Sequence, residues 1–221
     1  MVRFDIITLF PEAFSYFNTS LFKRAQLKKI IKINLVNLRD FAKDKFKTVD
    51  DYPYGGGPGM VLKIEPIYNA CQLIKKKSKL NPKITILTDL RGKRFNYEII
   101  KKLVKYKHFI IICGHYEGVD ERVKKIVDIS LNIGPYVLTG GELPAMVIVD
   151  AISRYLPGFL KNPLSLEDKR LGGLFSIPVY TRPAIFKTKD NKILKVPNVL
   201  LSGDHKKIIN WRLKKAKKLF K

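Results

Sequence analysis

The sequence predicts an α/β fold, a mostly parallel sheet flanked by helices, with a small mainly helical domain after it. Three observations carry this. Short β-rich apolar runs alternate with amphipathic segments of helical spacing over the first 155 residues. Glycine-dense polar loops follow several of those runs, as at the carboxyl edge of a parallel sheet. Leu156-Pro157-Gly158 then ends the last helix of the region.

Residues 4–9, 33–36, 84–87, 109–113 and 126–131 read as strands because they are apolar, rich in β-branched residues and bounded by polar or turn residues. Residues 21–31, 65–76 and 97–105 place apolar side chains on one helical face. Residues 142–155 form a further helix, with Pro144 tolerated in its first turn. The expected domains are 1–160, a flexible linker over 161–176 that mixes Gly, Pro, Ser and charge, and a basic segment 177–221. The last segment is too small to build a sizeable core alone. It ends in a helix from His205, with eight Lys or Arg in the last 17 residues and no acid.

A chain of 221 residues with 46% hydrophobic and 28% charged residues is globular in composition, which excludes a disordered, collagen-like or disulfide-scaffold protein. Its 43 Lys and Arg against 19 Asp and Glu give a net charge of +24, a field suited to polyanions. Lys outnumbers Arg by 33 to 10, so compositional drift toward AT-rich codons accounts for part of the excess. Cys71 and Cys113 stand apart in apolar stretches and read as reduced core thiols of a cytoplasmic protein. Asp5 interrupts what would be a signal peptide. Apolar runs such as 109–113 are far short of the ~20 residues that span a membrane.

Several chemistries are absent from the motifs. There is no phosphate-binding GxxxxGK[ST] loop, and Met60 and Leu62 spoil both frames of GxGxxG at 55–59. His108, His115 and His205 have no zinc spacing, so no metal is expected. What remains is three glycine-rich loops, VDDYPYGGGPGM at 49–60, CGHYEGVDER at 113–122 and IGPYVLTGGE at 133–142. Their backbones can approach a ligand closely, and converging on one sheet edge they would make a pocket for a flat heterocycle.

These loops, together with LFPEAF at 9–14, LPA at 143–145, YTRP at 180–183 and LLSGDHKKIINWR at 200–212, resemble the bacterial tRNA (guanine-N1)-methyltransferases, the TrmD family. The resemblance implies a SPOUT-type sheet with a deep trefoil knot, exceptional among folds. It implies S-adenosylmethionine as cofactor and methyl transfer to N1 of guanosine 37 beside the anticodon. The implied partners are tRNA with G at that position and a second copy of the chain, without DNA or membrane. By the same match Asp168 is the general base and Arg154 the cation that stabilises the guanine. The cofactor site comprises Gly114, Tyr116, Glu117, Ile133, Gly134, Pro135, Tyr136, Val137, Leu138, Gly140 and Gly141. Asp50, Gly55, Gly59, Lys206 and Arg212 fall to substrate binding.

The residues also allow plainer readings. Asp168 beside Glu167 suits a solvated or capping acid, and Arg154 four residues after Asp150 suits a helix-face ion pair. Charge and the terminal helix would suffice for a non-catalytic RNA binder, and a related SPOUT enzyme could act on another RNA position. The chain departs from the family after the third strand, where Ser-Pro-Gln-Gly is usual and Thr88-Asp89-Leu90-Arg91-Gly92 stands here. Pro135, Phe46 and Val179 replace an acid and two histidines, and Lys169-Arg170 follows the expected base.

Overall fold

A computed structural model describes residues 1–162, 165–166 and 177–216. The chain divides into two compact units, 1–160 and 161–221. The first holds a five-stranded, wholly parallel sheet in the order β2-β1-β6-β5-β7. Its strands are β1 (Val2–Thr8), β2 (Ile31–Asn37), β5 (Lys83–Arg94), β6 (His108–Cys113) and β7 (Ile129–Asn132). A two-residue ladder, β3 (Asp50–Asp51) with β4 (Val61–Leu62), closes the glycine-rich loop between β2 and α2 (Ile64–Lys77), and α3 (Tyr97–Leu103) stands between β5 and β6 in the chain.

The period of two along each strand sorts the core into two layers. Phe4, Ile6, Ile86, Phe109 and Ile111 face α4 (Glu142–Ser153), which brings Ala145, Ile148, Val149 and Ile152. The rings of Phe4 and Phe109 stack at 4.9 Å. On the opposite face Ile7, Leu87, Ile110 and Ile112 meet Ile67, Ala70, Cys71 and Ile74 of α2. Every residue of β6 is buried, as expected of a central strand covered on both sides. Burial pushes the Cys71 thiol up to about 11 and that of Cys113 well above its ordinary range.

Two boundaries differ from the sequence reading. The helix expected over 21–31 is α1 (Ser20–Leu27), because Lys29 adopts a left-handed turn and Ile31 is already in β2. The strand expected over 126–131 is confined to Ile129–Asn132, while Glu121–Lys125 is a 3-10 turn capped by the Asp120 carboxylate. Ile126 and Val127 are apolar because they pack on the α2-side core, not because they pair in the sheet. In the second unit, the hairpin Ile185–Lys187 with Ile193–Lys195 accompanies the helices Asn198–Leu201 and His205–Lys215. The last helix is capped by Asp204, whose side chain accepts from the Lys207 N–H at 3.1 Å.

The amino-terminal half of the sheet carries a buried polar cluster. His108 Nε2 donates to Asp5 Oδ2 at 2.5 Å, Arg3 makes two hydrogen bonds to the same carboxylate, and the Asn34 amide adds another at 2.8 Å. Burial would push the Asp5 carboxyl up, but the hydrogen bonds from His108, Arg3 and Asn34 together hold it below its ordinary 3.8. The ionised form therefore stabilises the fold fully above that value, and the contribution is lost as pH falls through the lower folded value. Replacing Asp5 by Ala strands Arg3 and His108, and urea unfolding at pH 7 should show a loss of about 3–5 kcal/mol. The variant's loss should shrink below pH ~4; a pH-independent difference would show that the charge does not matter.

Candidate functional site

The carboxyl ends of β5, β6 and β7 open into a cleft of about 410 Å³. It forms because the chain returns from β7 through a loop that is laid between the ends of β5 and β6. Gly141 N donates to Gly114 O at 2.7 Å, and His115 and Gly140 form an antiparallel bridge. The Thr88 hydroxyl donates to Ile112 O at 3.1 Å and accepts from Gly114 N at 3.3 Å, so one side chain ties both strand ends. A Cβ on Gly141 would meet the Thr88 hydroxyl, lie 2.7 Å from Gly114 N and 2.9 Å from the Cys113 Cα. Only glycine fits there.

Ten of the eleven residues assigned to the cofactor line this cleft, Pro135 being the exception. Leu90, Leu131, Ile133, Val137 and Leu138 supply an apolar wall, and the backbone of the glycine loops supplies hydrogen-bonding groups. That combination suits a flat heterocycle with polar appendages. Only two of the three glycine loops line it. The 49–60 loop braces the second from outside instead: Glu117 N donates to Met60 O, Leu62 N to Gly118 O and Asp120 N to Leu62 O. Asp50 pairs with Leu62 in the short ladder, and Gly55 and Gly59 take left-handed backbone in the loop.

A further wall, outside the residues assigned to the cofactor, is the stretch at 88–91. Thr88 and Lys93 both pair with Leu131, so the intervening residues bulge from β5 into the cleft. Asp89 pairs with Lys124 at 2.8 Å, Lys124 with Glu121 at 3.0 Å, and Arg91 with Glu121 at 2.6 Å. Burial would raise the Asp89 carboxyl, but Lys124 and the Arg91 N–H overcome it and hold it below its ordinary value. The usable signal was the residue mismatch with the family at 88–92.

Glu142 is a structural tie. Buried at the first turn of α4, it accepts from the Thr8 hydroxyl at 2.8 Å and stands 3.7 Å from His115 Nδ1. His115 is held between the Phe10 and Tyr116 rings, each 4.8 Å away.

The expected base, Asp168, lies outside the described residues, as do Lys169 and Arg170. Arg154 directly follows α4 and is exposed. The Asp150–Arg154 ion pair is not formed among the described residues; Asp150 accepts from the Tyr16 hydroxyl at 2.5 Å instead, which raises that phenol. Lys206 and Arg212 stand on the last helix of the second unit, where Arg212 lines a groove with Tyr180, Arg182 and Ile208. Among the described residues there is no group of three or more His, Cys, Asp or Glu that could hold a metal. No helix among them is long and apolar enough to cross a membrane.

The sequence profile described as tRNA (Guanine-1)-methyltransferase TrmD matches residues 2–220. The tRNA (guanine-N(1)-)-methyltransferase of Dictyoglomus turgidum is 50% identical over 220 residues, covering 99% of this chain and 86% of that protein. The corresponding Clostridium botulinum protein is 48% identical over 99% of this chain and 87% of its own. The solved structure of the tRNA (m1G37) methyltransferase from Aquifex aeolicus aligns with a TM-score of 0.76 at 41% identity, covering 96% and 88% of the two chains.

The two glycines at the crossing separate packing from ligand contact. A Cβ on Gly114 would meet only ordinary contacts, at 3.4 Å from Thr88 O and 3.7 Å from Val119. Gly141→Ala should therefore lower unfolding stability by about 1–3 kcal/mol, while Gly114→Ala stays within about 0.5 kcal/mol of the parent. Equal urea midpoints for the two variants would refute the close-approach reading of Gly141.

Proposed function

Because the chain belongs to the TrmD family of tRNA (guanine-1)-methyltransferases, we propose that it methylates N1 of guanosine 37 in tRNA, with S-adenosylmethionine as donor. The observation that carries the reading is the family match over 2–220, in a chain whose glycine loops form a cleft at the sheet's carboxyl edge. About 410 Å³ falls within the range that takes a nucleoside-sized ligand, and its apolar wall and backbone donors suit an adenosyl group. S-Adenosylmethionine would supply, when bound, an electrophilic methyl group, the electron pair of the broken C–S bond staying on the departing S-adenosylhomocysteine.

The protein's task is to make N1 of guanine nucleophilic. N1 carries a proton, and Asp168 accepts it, so that the N1 electron pair can form the new N–CH3 bond. Removing that proton pushes negative charge toward O6, and Arg154 stabilises it. Gly114, Tyr116, Glu117, Ile133, Gly134, Tyr136, Val137, Leu138, Gly140 and Gly141 hold the adenosyl group. Asp50, Gly55 and Gly59 help hold the partner subunit and tRNA, and Lys206 and Arg212 of the second unit bind tRNA phosphates. In this reading the passage of Gly141 between the ends of β5 and β6 belongs to the family's trefoil knot, and two copies of the chain assemble one working enzyme. Residues 161–176 link the catalytic unit to a tRNA-binding tail.

Labelled S-adenosylmethionine incubated with the protein and a tRNA transcript should give methylated RNA, and a transcript with A at position 37 should not. Asp168→Ala should cut turnover by about 10²- to 10⁴-fold with S-adenosylhomocysteine affinity kept within about twofold. Methylation indifferent to position 37 would exclude the assigned target, and full turnover in Asp168→Ala would exclude the assigned base.

A further inference from the structure

The 88–92 stretch brings a carboxylate into the cleft. The β5 bulge sets Asp89 beside the glycine loops, and its two oxygens are not equivalent. Oδ2 is fully buried and bound to Lys124 at 2.8 Å. Oδ1 accepts the Arg91 N–H at 3.1 Å, and the side chain keeps 18% of its surface exposed. Each carboxylate oxygen has two acceptor sites, so Oδ1 has one left. Lys124 and the Arg91 amide thus fix the group's orientation, and with Oδ2 enclosed the exposed share falls to the rest of the side chain.

Among the cleft's other described acids, Glu121 is engaged by both Arg91 and Lys124, and Glu117 is packed against Gly59. Asp89, 18% exposed against 61% for Glu121, is the less exposed of the two ion-paired acids and keeps an acceptor site next to the apolar wall that suits a heterocycle. A nucleoside presents beside its base a sugar whose hydroxyls are donors seeking an acceptor. A fixed carboxylate answering a ribose hydroxyl is the same chemistry that dinucleotide-binding folds use.

We propose that Asp89, oriented by Lys124 and the Arg91 amide, accepts a hydrogen bond from a ribose hydroxyl of the adenosyl cofactor. The assignment rests on the cofactor reading above and deepens it by naming a side chain that would meet the sugar of that cofactor. It makes Asp89 a determinant of ribose over deoxyribose.

Calorimetric titration of the full-length protein tests this without turnover. The probes are S-adenosylhomocysteine and its 2′-deoxy and 3′-deoxy counterparts. The parent protein should bind the ribose form about 10-fold or more tighter than one of the two deoxy forms, as expected for a hydrogen bond to a charged group. Asp89→Ala should weaken the ribose form to the level of that deoxy form and leave the deoxy affinity nearly unchanged. Lys124→Gln, which frees the carboxylate without removing it, should reduce the preference only in part. If Asp89 merely ties the bulge to Lys124, both variants weaken ribose and deoxy ligands alike, and that result overturns the proposal. Ribose preference surviving in Asp89→Ala overturns it too. Absence of S-adenosylhomocysteine binding by the parent protein would instead overturn the cofactor reading on which it rests.

Discussion

The first unit depends on one backbone crossing. Gly141 passes within hydrogen-bonding distance of Gly114 and under the Thr88 side chain, which joins the carboxyl ends of β5 and β6 to the start of α4. Because α4 begins there, its apolar face is delivered onto Phe4, Ile6 and Phe109, and the larger core layer closes. Because the loop before it must arch over the strand ends to reach the crossing, Ile133, Gly134 and residues 136–140 become a cleft wall. Core and cleft are two consequences of a single close approach, so a side chain at position 141 would disturb both.

The parallel sheet also keeps two polar sites apart. Its strands all start at one edge and finish at the other, so residues early in β1 and β6 cannot meet those at their ends. Arg3, Asp5 and His108 gather toward the starting edge, where the buried Asp5 carboxylate takes hydrogen bonds from Arg3, Asn34 and His108. Thr88, Asp89, Gly114 and Asn132 gather beyond the finishing edge, where polar groups face a ligand-sized space. The buried Asp5 charge is tolerable at the first because its hydrogen-bond donors are supplied internally. At the second, acceptor capacity is left over, which is what a binding site requires.

Much of this was legible in the sequence, for identifiable reasons. The five strands stood out because β6 and its neighbours are apolar on both faces, and the glycine loops because no ordinary turn needs their density. The bracing role of the 49–60 loop was not legible: glycine content says that a backbone can approach something, not which partner it approaches. Ile126 and Val127 misled for a similar reason, since apolar residues serve a helix-side core as readily as a sheet. The 3-10 turn from Glu121 is set by the Asp120 cap, a local hydrogen bond that hydrophobic pattern does not encode. The two hairpin strands of the second unit are three residues each and exposed, too short and too little buried to leave a periodicity.

The charge is sharpened by the ion pairs. Surface pairs contribute little to stability, commonly below ~1 kcal/mol each, so Lys43–Glu65, Lys63–Asp51, Lys101–Glu98, Lys192–Asp190 and Lys207–Asp204 do little to hold the fold. Their effect on a polyanion is different. With 19 acids among 43 basic residues, acids that have a cationic neighbour at 4 Å or less present no bare negative charge to an approaching phosphate backbone. The basic residues left over then act over the Debye length of ~8 Å without local cancellation. Compositional drift explains why so many are Lys rather than Arg, but it does not place acids beside partners. An excess of +24, with ten of the 19 acids paired to Lys or Arg among the described residues, is an electrostatic background that draws a polyanion such as RNA.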